Sequence, residues 1–286
     1  MWESRLKAYS TVSEIPSLEE IEIKLLLEAI ALRYGYDFRE YAEGPLRRSI
    51  SAGMTTEGVL TISAYQNRLL HDEGSMQRFL AAVGVSVSSM FRDADTWRCL
   101  RREVVPMLRT YPSIRIWSVG CATGEEVYSL AIMLEEEGLY QRSTIFATDI
   151  NEDALGIARV GAFPEERLRT YEHDYARAGG RSSLSTYFTA AGRIARLRRE
   201  LLRHVTWAQH NLVTDASFND FHLIICSNVL IYFRATLQQR AHRLFFESLV
   251  GSGFLALGQR ESLVFASEAS RYQLVGDGVN VFRKAR

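Results

Sequence analysis

Cysteine is scarce in this sequence, and its scarcity excludes a class of protein. The three cysteines, Cys99, Cys121 and Cys226, include no CxxC pair and cannot build the disulfide framework of a small secreted protein. The sequence begins MWESRLKAYS, which lacks the apolar core of a signal peptide. A reducing, cytoplasmic location is therefore expected.

Long hydrophobic runs and net charge are also missing. The longest apolar run covers residues 221–233 and is interrupted by His222, Ser227 and Asn228, whereas a bilayer span needs ~20 apolar residues. The 34 Lys and Arg residues equal the 34 Asp and Glu residues, which argues against a dedicated nucleic-acid binder. A chain of 286 residues with 47% hydrophobic and 24% charged residues is typical of a globular protein with one large domain or two ordinary ones.

Residues 1–85 have a helical pattern. Ser17 and Glu20 have the spacing of a capping box, apolar residues then recur every three or four positions, and Gly35 is placed to end the helix. Further helices are predicted around 41–51, 55–70 and 75–83, separated by glycine and proline. We therefore expect an N-terminal helical domain with its linker over 1–85.

Strands and helices alternate in residues 86–286, which indicates an α/β domain with a mostly parallel, doubly wound sheet. Strands are predicted at Ile114–Val119, 144–148, 205–208, 222–226 and 253–257, and helices at 125–137, 152–160 and 236–250. Two last runs, 272–275 and 279–283, flank a Gly-Asp-Gly turn. They predict a C-terminal hairpin that adds an antiparallel edge to the sheet.

Residues 163–206 interrupt this alternation and are too many for a plain loop. The segment contains nine arginines and five acidic residues, a net charge of +4. Two short strands are predicted at 185–190 and 193–197, around Gly192. This pattern favours a small inserted β subdomain, and the alternative is an arginine-rich, solvated excursion.

A loop rich in glycine and acid follows the first predicted strand. Residues 119–126 have the sequence VGCATGEE, in which Gly120 and Gly124 allow a ligand to approach the backbone. The dinucleotide pattern GxGxxG is absent, and Glu125 and Glu126 would repel a diphosphate. These acids suit a cofactor that carries an ammonium or sulfonium cation. The structural alternative is that they only stabilise the start of a helix through its dipole.

Asp149 ends the second predicted strand, 25 residues after Gly124. An acid at this place in a βαβ unit accepts hydrogen bonds from ribose hydroxyls, although a lone aspartate is more often a helix cap. Together with the glycine loop, Asp149 indicates an S-adenosylmethionine site better than a nicotinamide site.

Four stretches in order carry a resemblance to a known family. They are YGYDFR at 34–39 followed by LRR at 46–48, the segment 117–131 around GCATGEE, ATDIN at 147–151, and LIICSNVLIYF at 223–233. The sequence from about Ile21 to Arg283 resembles the chemotaxis receptor methyltransferases, the CheR family, which methylate glutamate side chains on chemoreceptors.

The resemblance implies a fold, a cofactor and partners. The fold would be a Rossmann-like class I methyltransferase sheet with an N-terminal helical domain and an inserted β subdomain. The cofactor would be S-adenosyl-L-methionine, with no metal. The partner would be the cytoplasmic region of methyl-accepting chemoreceptors. Some members use the β subdomain to hold a tethering peptide at the receptor C-terminus. A monomer without nucleic-acid partner or membrane insertion is expected.

The resemblance also implies functional residues. Arg92, in the linker stretch, would fix the carboxylate or the cofactor, and Tyr232 would orient the acceptor. Asp149 would bind the ribose. The cofactor-binding residues expected from the loop and the resemblance are Ser86, Ser88, Arg92, Gly120, Glu125, Glu126, Asp149, Asn211, Leu212, Ser227 and Asn228. Which of Glu125 and Glu126 faces the cofactor stays open at this point.

Departures from the family pattern keep other functions open. Ser86 and Ser88 stand where the family usually has Asn and Thr, and Ser227 stands where it commonly has Arg, which removes a permanent charge. The alternatives are a related carboxyl methyltransferase with another protein or small-molecule acceptor, and a non-catalytic module that binds the cofactor or the receptor.

Overall fold

A computed structural model of the chain describes residues 16–84 and 88–285. Its first part is a set of four packed helices. They are α1 (Leu18–Tyr34), α2 (Glu43–Glu57), α3 (Ile62–His71) and α4 (Glu73–Val83). Ser17 and Glu20 form the predicted capping box, and Gly35 ends α1 with a left-handed backbone at φ 76°. The helical pattern of the N-terminal sequence is confirmed.

The sequence predicts separate helices at 41–51 and 55–70 with a break at Gly53 between them, and this break is wrong. Gly53 lies inside α2, which continues to Gly58, where a backbone φ of 64° ends it. A Cβ atom on Gly53 would lie 2.0 Å from the hydroxyl of Tyr65 on α3. This glycine therefore allows two helices to pack closely, and it does not terminate either of them.

The second part contains a seven-stranded sheet in the order β6-β2-β1-β7-β8-β10-β9. Its strands are β1 (Ile114–Val119), β2 (Ser143–Asp149), β6 (Val205–Gln209), β7 (Phe221–Cys226), β8 (Leu249–Leu257), β9 (Tyr272–Leu274) and β10 (Val281–Lys284). The first five strands in this order pair in parallel, and β10 pairs antiparallel with both β8 and β9. The predicted doubly wound sheet with an antiparallel C-terminal hairpin is confirmed.

Helices cover the sheet, and some were not predicted. The connections between parallel strands are α7 (Glu125–Glu136), α8 (Glu152–Val160) and α10 (Ala235–Ser248). Before β1, the helices α5 (Ala94–Cys99) and α6 (Val105–Leu108) are joined by a π-helical turn at Leu100–Val104. Among the residues described, no helix is both long and apolar enough to span a membrane.

The inserted segment forms a small antiparallel sheet in the order β3-β5-β4. Its strands are β3 (Ala162–Pro164), β4 (Phe188–Ala191) and β5 (Ile194–Leu197). A helix that the sequence did not predict, α9 (Glu166–Arg177), lies between β3 and β4. The Tyr175 hydroxyl on α9 donates a hydrogen bond to Glu136 at the end of α7. Arg181 pairs with Glu137 at 2.6 Å, so the insert is fixed to the main domain.

Candidate functional site

The carboxyl ends of β1, β2 and β7 meet where the strand order reverses, and two adjoining cavities open there. In open α/β sheets this crossover is the usual ligand site. Each cavity has a volume of about 710 Å³ when its open mouth is included. Both are lined by Gly120, Ala122 and Asn228, so they adjoin, and the two cavities together are called the cleft below.

The first cavity, called the polar cavity below, has polar and apolar lining atoms in similar amounts and carries charge. Its charged lining residues are Arg92, Asp93 and Glu126. The other lining residues are Ser88, Ser89, Thr96, Trp97, Leu100, Gly120, Cys121, Ala122, Ile225, Ser227, Asn228 and Leu257. It lies between the segment before α5 and the loops that follow β1 and β7.

The second cavity is largely apolar, with one carboxylate at its wall. That carboxylate is Asp149, at the end of β2. The other lining residues are Tyr41, Val83, Gly84, Val119, Gly120, Ala122, Thr148, Ile150, His210, Asn211, Leu212, Asn228, Val229, Tyr232 and Phe233. An apolar cavity with an acid at its edge suits a ligand that has a flat ring and hydroxyl groups.

Left-handed backbone conformations concentrate around this cleft. Five described residues other than glycine have positive φ angles: Phe91 (52°), Asp93 (56°), Ala122 (47°), Asn228 (61°) and Ser252 (66°). Three of them line the cleft, and Phe91 precedes the lining residue Arg92. Such conformations are costly and are typical of functional sites, where the surrounding structure holds them in place.

Gly120 allows two loops of the cleft to approach one another. Its φ is 64°, and a Cβ atom added to it would lie 2.4 Å from Cγ2 of Val229. Any side chain at this position would strain the backbone and displace the loop that follows β7.

Glu126, and not Glu125, lines the first cavity. The Ser118 hydroxyl donates a hydrogen bond of 2.8 Å to Glu126 Oε1. Burial raises the pKa of Glu126 to about 7, against hydrogen bonds from Ser118 and Ser227 that lower it. Near neutral pH, a cation in the cavity would favour the ionised carboxylate.

Glu125 lies outside the lining of both cavities. It is buried at the start of α7, where the Thr123 hydroxyl donates a 2.7 Å hydrogen bond to it. Arg167 of α9 lies 3.6 Å from its carboxylate. These contacts direct the Glu125 side chain toward the insert, whereas Glu126 is directed into the cleft.

Asp149 organises the glycine loop from the neighbouring strand. Its Oδ2 accepts a hydrogen bond from the Ala122 N–H at 2.8 Å, and its Oδ1 accepts one from the Asn151 N–H at 2.9 Å. Burial raises its pKa, while these backbone donors lower it. A carboxylate oxygen accepts more than one hydrogen bond, so both oxygens can still accept from a ligand hydroxyl.

The segment that carries Arg92 is fixed on both sides. The Phe91 N–H donates a 2.9 Å hydrogen bond to the Ser129 hydroxyl, and the fully buried Phe91 ring packs edge-on against Trp97. The Trp97 indole N–H donates to the Arg92 carbonyl at 2.9 Å. The Arg92 charge lowers the pKa of Tyr232, against the larger effect of burial, which raises it. Arg92 lines the first cavity and Tyr232 the second, so the two side chains lie on neighbouring parts of the cleft.

The N-terminal helices contribute a wall of the cleft. Residues 40–42, just before α2, form two backbone hydrogen bonds with the loop after β7. The Ala42 N–H donates to the Tyr232 carbonyl at 2.7 Å. The Arg234 N–H donates to the Glu40 carbonyl at 2.8 Å. Between these bonds, the Tyr41 and Phe233 rings pack edge-to-face with centroids 5.0 Å apart. Tyr41 thus lines the second cavity opposite the sheet.

The cleft brings together most residues expected from the sequence. The residues that line it are Ser88, Arg92, Gly120, Glu126, Asp149, Asn211, Leu212, Ser227, Asn228 and Tyr232. Ser86 lies outside the described residues. Asn211 has its side-chain oxygen occupied locally, since it accepts a 2.9 Å hydrogen bond from the Val213 N–H.

Sequence reasoning missed two residues of this region, Tyr41 and Glu261. Tyr41 comes from the N-terminal helical part, and Glu261 is a buried acid that follows β8. Both contact residues of the loop after β7 that are far away in sequence. Tyr41 packs on Phe233. Glu261 accepts hydrogen bonds from Val229 and Leu230. The only signal for Glu261 was an acidic residue next to the carboxyl end of a predicted sheet strand.

Comparison with known families matches nearly the whole chain. Residues 86–277 match the model described as "CheR methyltransferase, SAM binding domain". Residues 21–83 match the model described as "CheR methyltransferase, all-alpha domain". The two matches correspond to the sheet-containing part and the four-helix part of the structure.

Three known relatives resemble the chain over three quarters or more of their own length. Cher3 of Pseudomonas putida, provisionally described as a methyltransferase, is 47% identical over 266 residues, covering 93% of this chain and 97% of Cher3. Chemotaxis protein methyltransferase 2 of Pseudomonas aeruginosa is 33% identical, covering 74% of this chain and 75% of that protein. The chemotaxis protein methyltransferase of Escherichia coli is 26% identical, covering 96% and 94%.

The raised pKa of Glu126 predicts a pH-dependent effect of Glu126→Gln on stability. The carboxyl stabilises the ligand-free fold fully below its unfolded pKa of about 4.5, and this contribution is lost as the pH rises through about 7. The free energy of unfolding of Glu126→Gln minus that of the unaltered protein should therefore be larger at pH 8 than at pH 5, by on the order of 1–3 kcal/mol. Thermal and urea unfolding at the two pH values measure this difference.

The matched control is Glu135→Gln, which removes an exposed carboxyl from the same helix. Because this carboxyl is exposed, its removal should change the free energy of unfolding by less than about 0.5 kcal/mol at either pH. An identical stability difference at pH 5 and pH 8 for Glu126→Gln would contradict the burial of its carboxyl.

Proposed function

Because the chain belongs to the CheR methyltransferase family, we propose that it transfers a methyl group from S-adenosylmethionine to glutamate side chains of methyl-accepting chemoreceptors. The carboxylate oxygen would form a bond to the methyl carbon as the bond from that carbon to sulfur breaks, so the products, formed in the cytoplasm, would be a glutamate methyl ester and S-adenosylhomocysteine. The observation that carries the proposal is the pair of acids, Glu126 and Asp149, on the two sides of one cleft at the strand crossover.

The cleft fits the cofactor at both of its ends. The apolar cavity beside Leu212 and Ile150 suits an adenine ring, and Asp149 at its edge suits the ribose hydroxyls. The polar cavity offers Glu126 to a cation and Arg92 to a carboxylate, which are the charges of an amino-acid end. When bound, S-adenosylmethionine supplies an electrophilic methyl group on a positively charged sulfur.

The acceptor needs no general base. A glutamate carboxyl has a pKa of ~4.3 in solution, so at neutral pH it is already the ionised nucleophile. The work left to the chain is to bind the acceptor, orient it and exclude water. Orientation of the reactants alone lowers the activation free energy of such reactions by up to ~7–11 kcal/mol in ideal cases.

Arg92 and Tyr232 are proposed to orient the reactants. Arg92 lies in the polar cavity, where its guanidinium would bind a carboxylate of the acceptor or the cofactor. Tyr232 lies at the apolar side, held by the backbone hydrogen bond from Ala42, and its hydroxyl would direct the acceptor. Asn228 lines both cavities and would touch the cofactor at its centre.

The inserted β subdomain is the proposed docking site for a receptor tethering peptide. Its strand order leaves β3 and β4 at the edges of the small sheet, and an exposed edge can pair with an extended peptide. The segment 163–206 has a net charge of +4, which suits an acidic peptide or an acidic receptor helix.

Ser227 supports a second candidate, a related methyltransferase with another carboxylate acceptor. This serine lines the polar cavity at a position where the resemblance leads us to expect arginine. Its hydroxyl is hydrogen-bonded to Glu126 and brings no positive charge. A site with one arginine fewer would bind a negatively charged receptor segment less strongly.

Transfer of labelled methyl groups tests the proposal. The purified chain is mixed with labelled S-adenosylmethionine and cytoplasmic fragments of chemoreceptors from the same organism. We expect base-labile label on receptor glutamates. Label only on another carboxylate compound would favour the second candidate, and cofactor binding without any transfer would favour a non-catalytic module.

Arg92→Ala and Tyr232→Phe should each slow methyl transfer in a folded protein. Loss of a charge-assisted contact at Arg92 is expected to lower kcat/KM on the order of 10- to 100-fold, and loss of the Tyr232 hydroxyl about tenfold. Arg98→Ala is the matched control, because Arg98 is an exposed arginine of α5 paired with Asp95. Full activity of folded Arg92→Ala would refute the role given to this residue.

Asp149→Asn should weaken cofactor binding. The amide keeps the size of the side chain but presents an N–H group where the carboxylate accepts hydrogen bonds, so the Kd is expected to rise on the order of 10- to 100-fold. Calorimetry with S-adenosylhomocysteine measures it. Asp153→Asn, an exposed aspartate in the first turn of α8, is the control. Equal affinity of the two variants would exclude the ribose contact.

A further inference from the structure

The loop after β7 holds three of the proposed functional residues, and a buried carboxylate fixes it from behind. We propose that Glu261 is a positioning residue that sets the conformation of residues 227–232 and through them the placement of Ser227, Asn228 and Tyr232. The kinetic part of this proposal rests on the proposed function.

Glu261 binds three backbone N–H groups from two segments. Its Oε1 accepts from Val229 at 2.8 Å and from Leu230 at 2.7 Å. Its Oε2 accepts from Gly258, at the end of β8, at 2.8 Å. The residue is 5% exposed and lines neither cavity, so it acts from behind the loop and not from within the cleft.

The loop needs an acceptor at this point. A single turn of 3-10 helix spans Leu230–Tyr232, and the first N–H groups of any helix have no partner inside it. Leaving such groups buried without a partner costs as much as a lost hydrogen bond. Asn228 adds strain, since its φ is 61°. The carboxylate therefore stabilises a loop conformation that the loop alone would not keep.

The position of Glu261 is itself well determined. The Asn280 side-chain amide donates to the Glu261 carbonyl at 2.7 Å and to the Gly258 carbonyl at 2.9 Å. A Cβ atom on Gly258 would lie 2.7 Å from Glu261 Oε2, so glycine leaves room for the carboxylate. Asn280 directly precedes β10, the second strand of the C-terminal hairpin. The hairpin therefore supports the loop after β7 through Glu261 and Gly258.

A carboxylate is required because all three partners are donors. Glutamine would keep the shape but present its NH2 group to at least one N–H, and aspartate is shorter by one methylene and cannot reach both segments. The charge has a second effect: the Glu261 carboxylate raises the pKa of Glu126, so it adds to the negative field of the polar cavity.

The test compares Glu261→Gln with Glu137→Gln. Glu137 is also a buried carboxylate, but it binds Arg101, Arg109 and Arg181 at the other end of α7, away from the cleft. Hydrogen exchange of the backbone is followed by mass spectrometry. In Glu261→Gln, peptides that cover 227–232 should exchange at least tenfold faster than in the unaltered protein, and in Glu137→Gln they should exchange at the same rate.

The kinetic arm measures kcat per cofactor-binding site, counted by S-adenosylhomocysteine titration. In Glu261→Gln, kcat per site should fall at least tenfold. In Glu137→Gln, kcat per site should stay within twofold of the value for the unaltered protein, even if the Tm falls. Unchanged kcat per site together with unchanged exchange of 227–232 would overturn the proposal. If Glu261→Gln does not fold, Glu261→Asp replaces it with the same expectations.

The two arms separate this proposal from the proposed function. If the unaltered chain transfers no methyl group to receptor fragments, the proposed function fails, and the exchange rates still decide the role of Glu261.

Discussion

Negative charge shielded from water at the strand crossover is the constraint on which the rest of the site depends. Glu126 and Asp149 stand on opposite sides of one cleft, and burial raises the pKa of both. Burying such groups is unfavourable without partners, so a site built this way favours a cationic ligand and disfavours a polyphosphate. The same charges that cost stability in the ligand-free fold therefore select the cofactor.

The surrounding structure holds this arrangement from several directions. Asp149 reaches across from β2 to fix the glycine loop through Ala122, and the loop after β7 is bound in front by residues 40–42 and behind by Glu261. Strained backbone at Ala122 and Asn228 is tolerated because these contacts determine it. The N-terminal part of the chain thus contributes to the cleft, since Tyr41, between α1 and α2, forms one of its walls.

The sheet and much of the cleft could be predicted because local patterns determine them. The glycine loop and Asp149 belong to one βαβ unit, whose geometry brings a loop and the next strand end together. The choice between Glu125 and Glu126 could not be made, because adjacent helical residues point about 100° apart and the rotation of α7 depends on its packing. Helix α9 was missed because charged and polar residues dominate its sequence, and only Tyr171 and Tyr175 are buried. The partners of Glu261 could not be predicted, because a single sequence does not show which distant residues come into contact.

A crystal structure of the complex with S-adenosylhomocysteine tests the central claim most directly. The account predicts ribose hydroxyls hydrogen-bonded to Asp149 and the amino group beside Glu126, with adenine against Leu212. Adenosine bound elsewhere, or a ribose that makes no contact with Asp149, would contradict it.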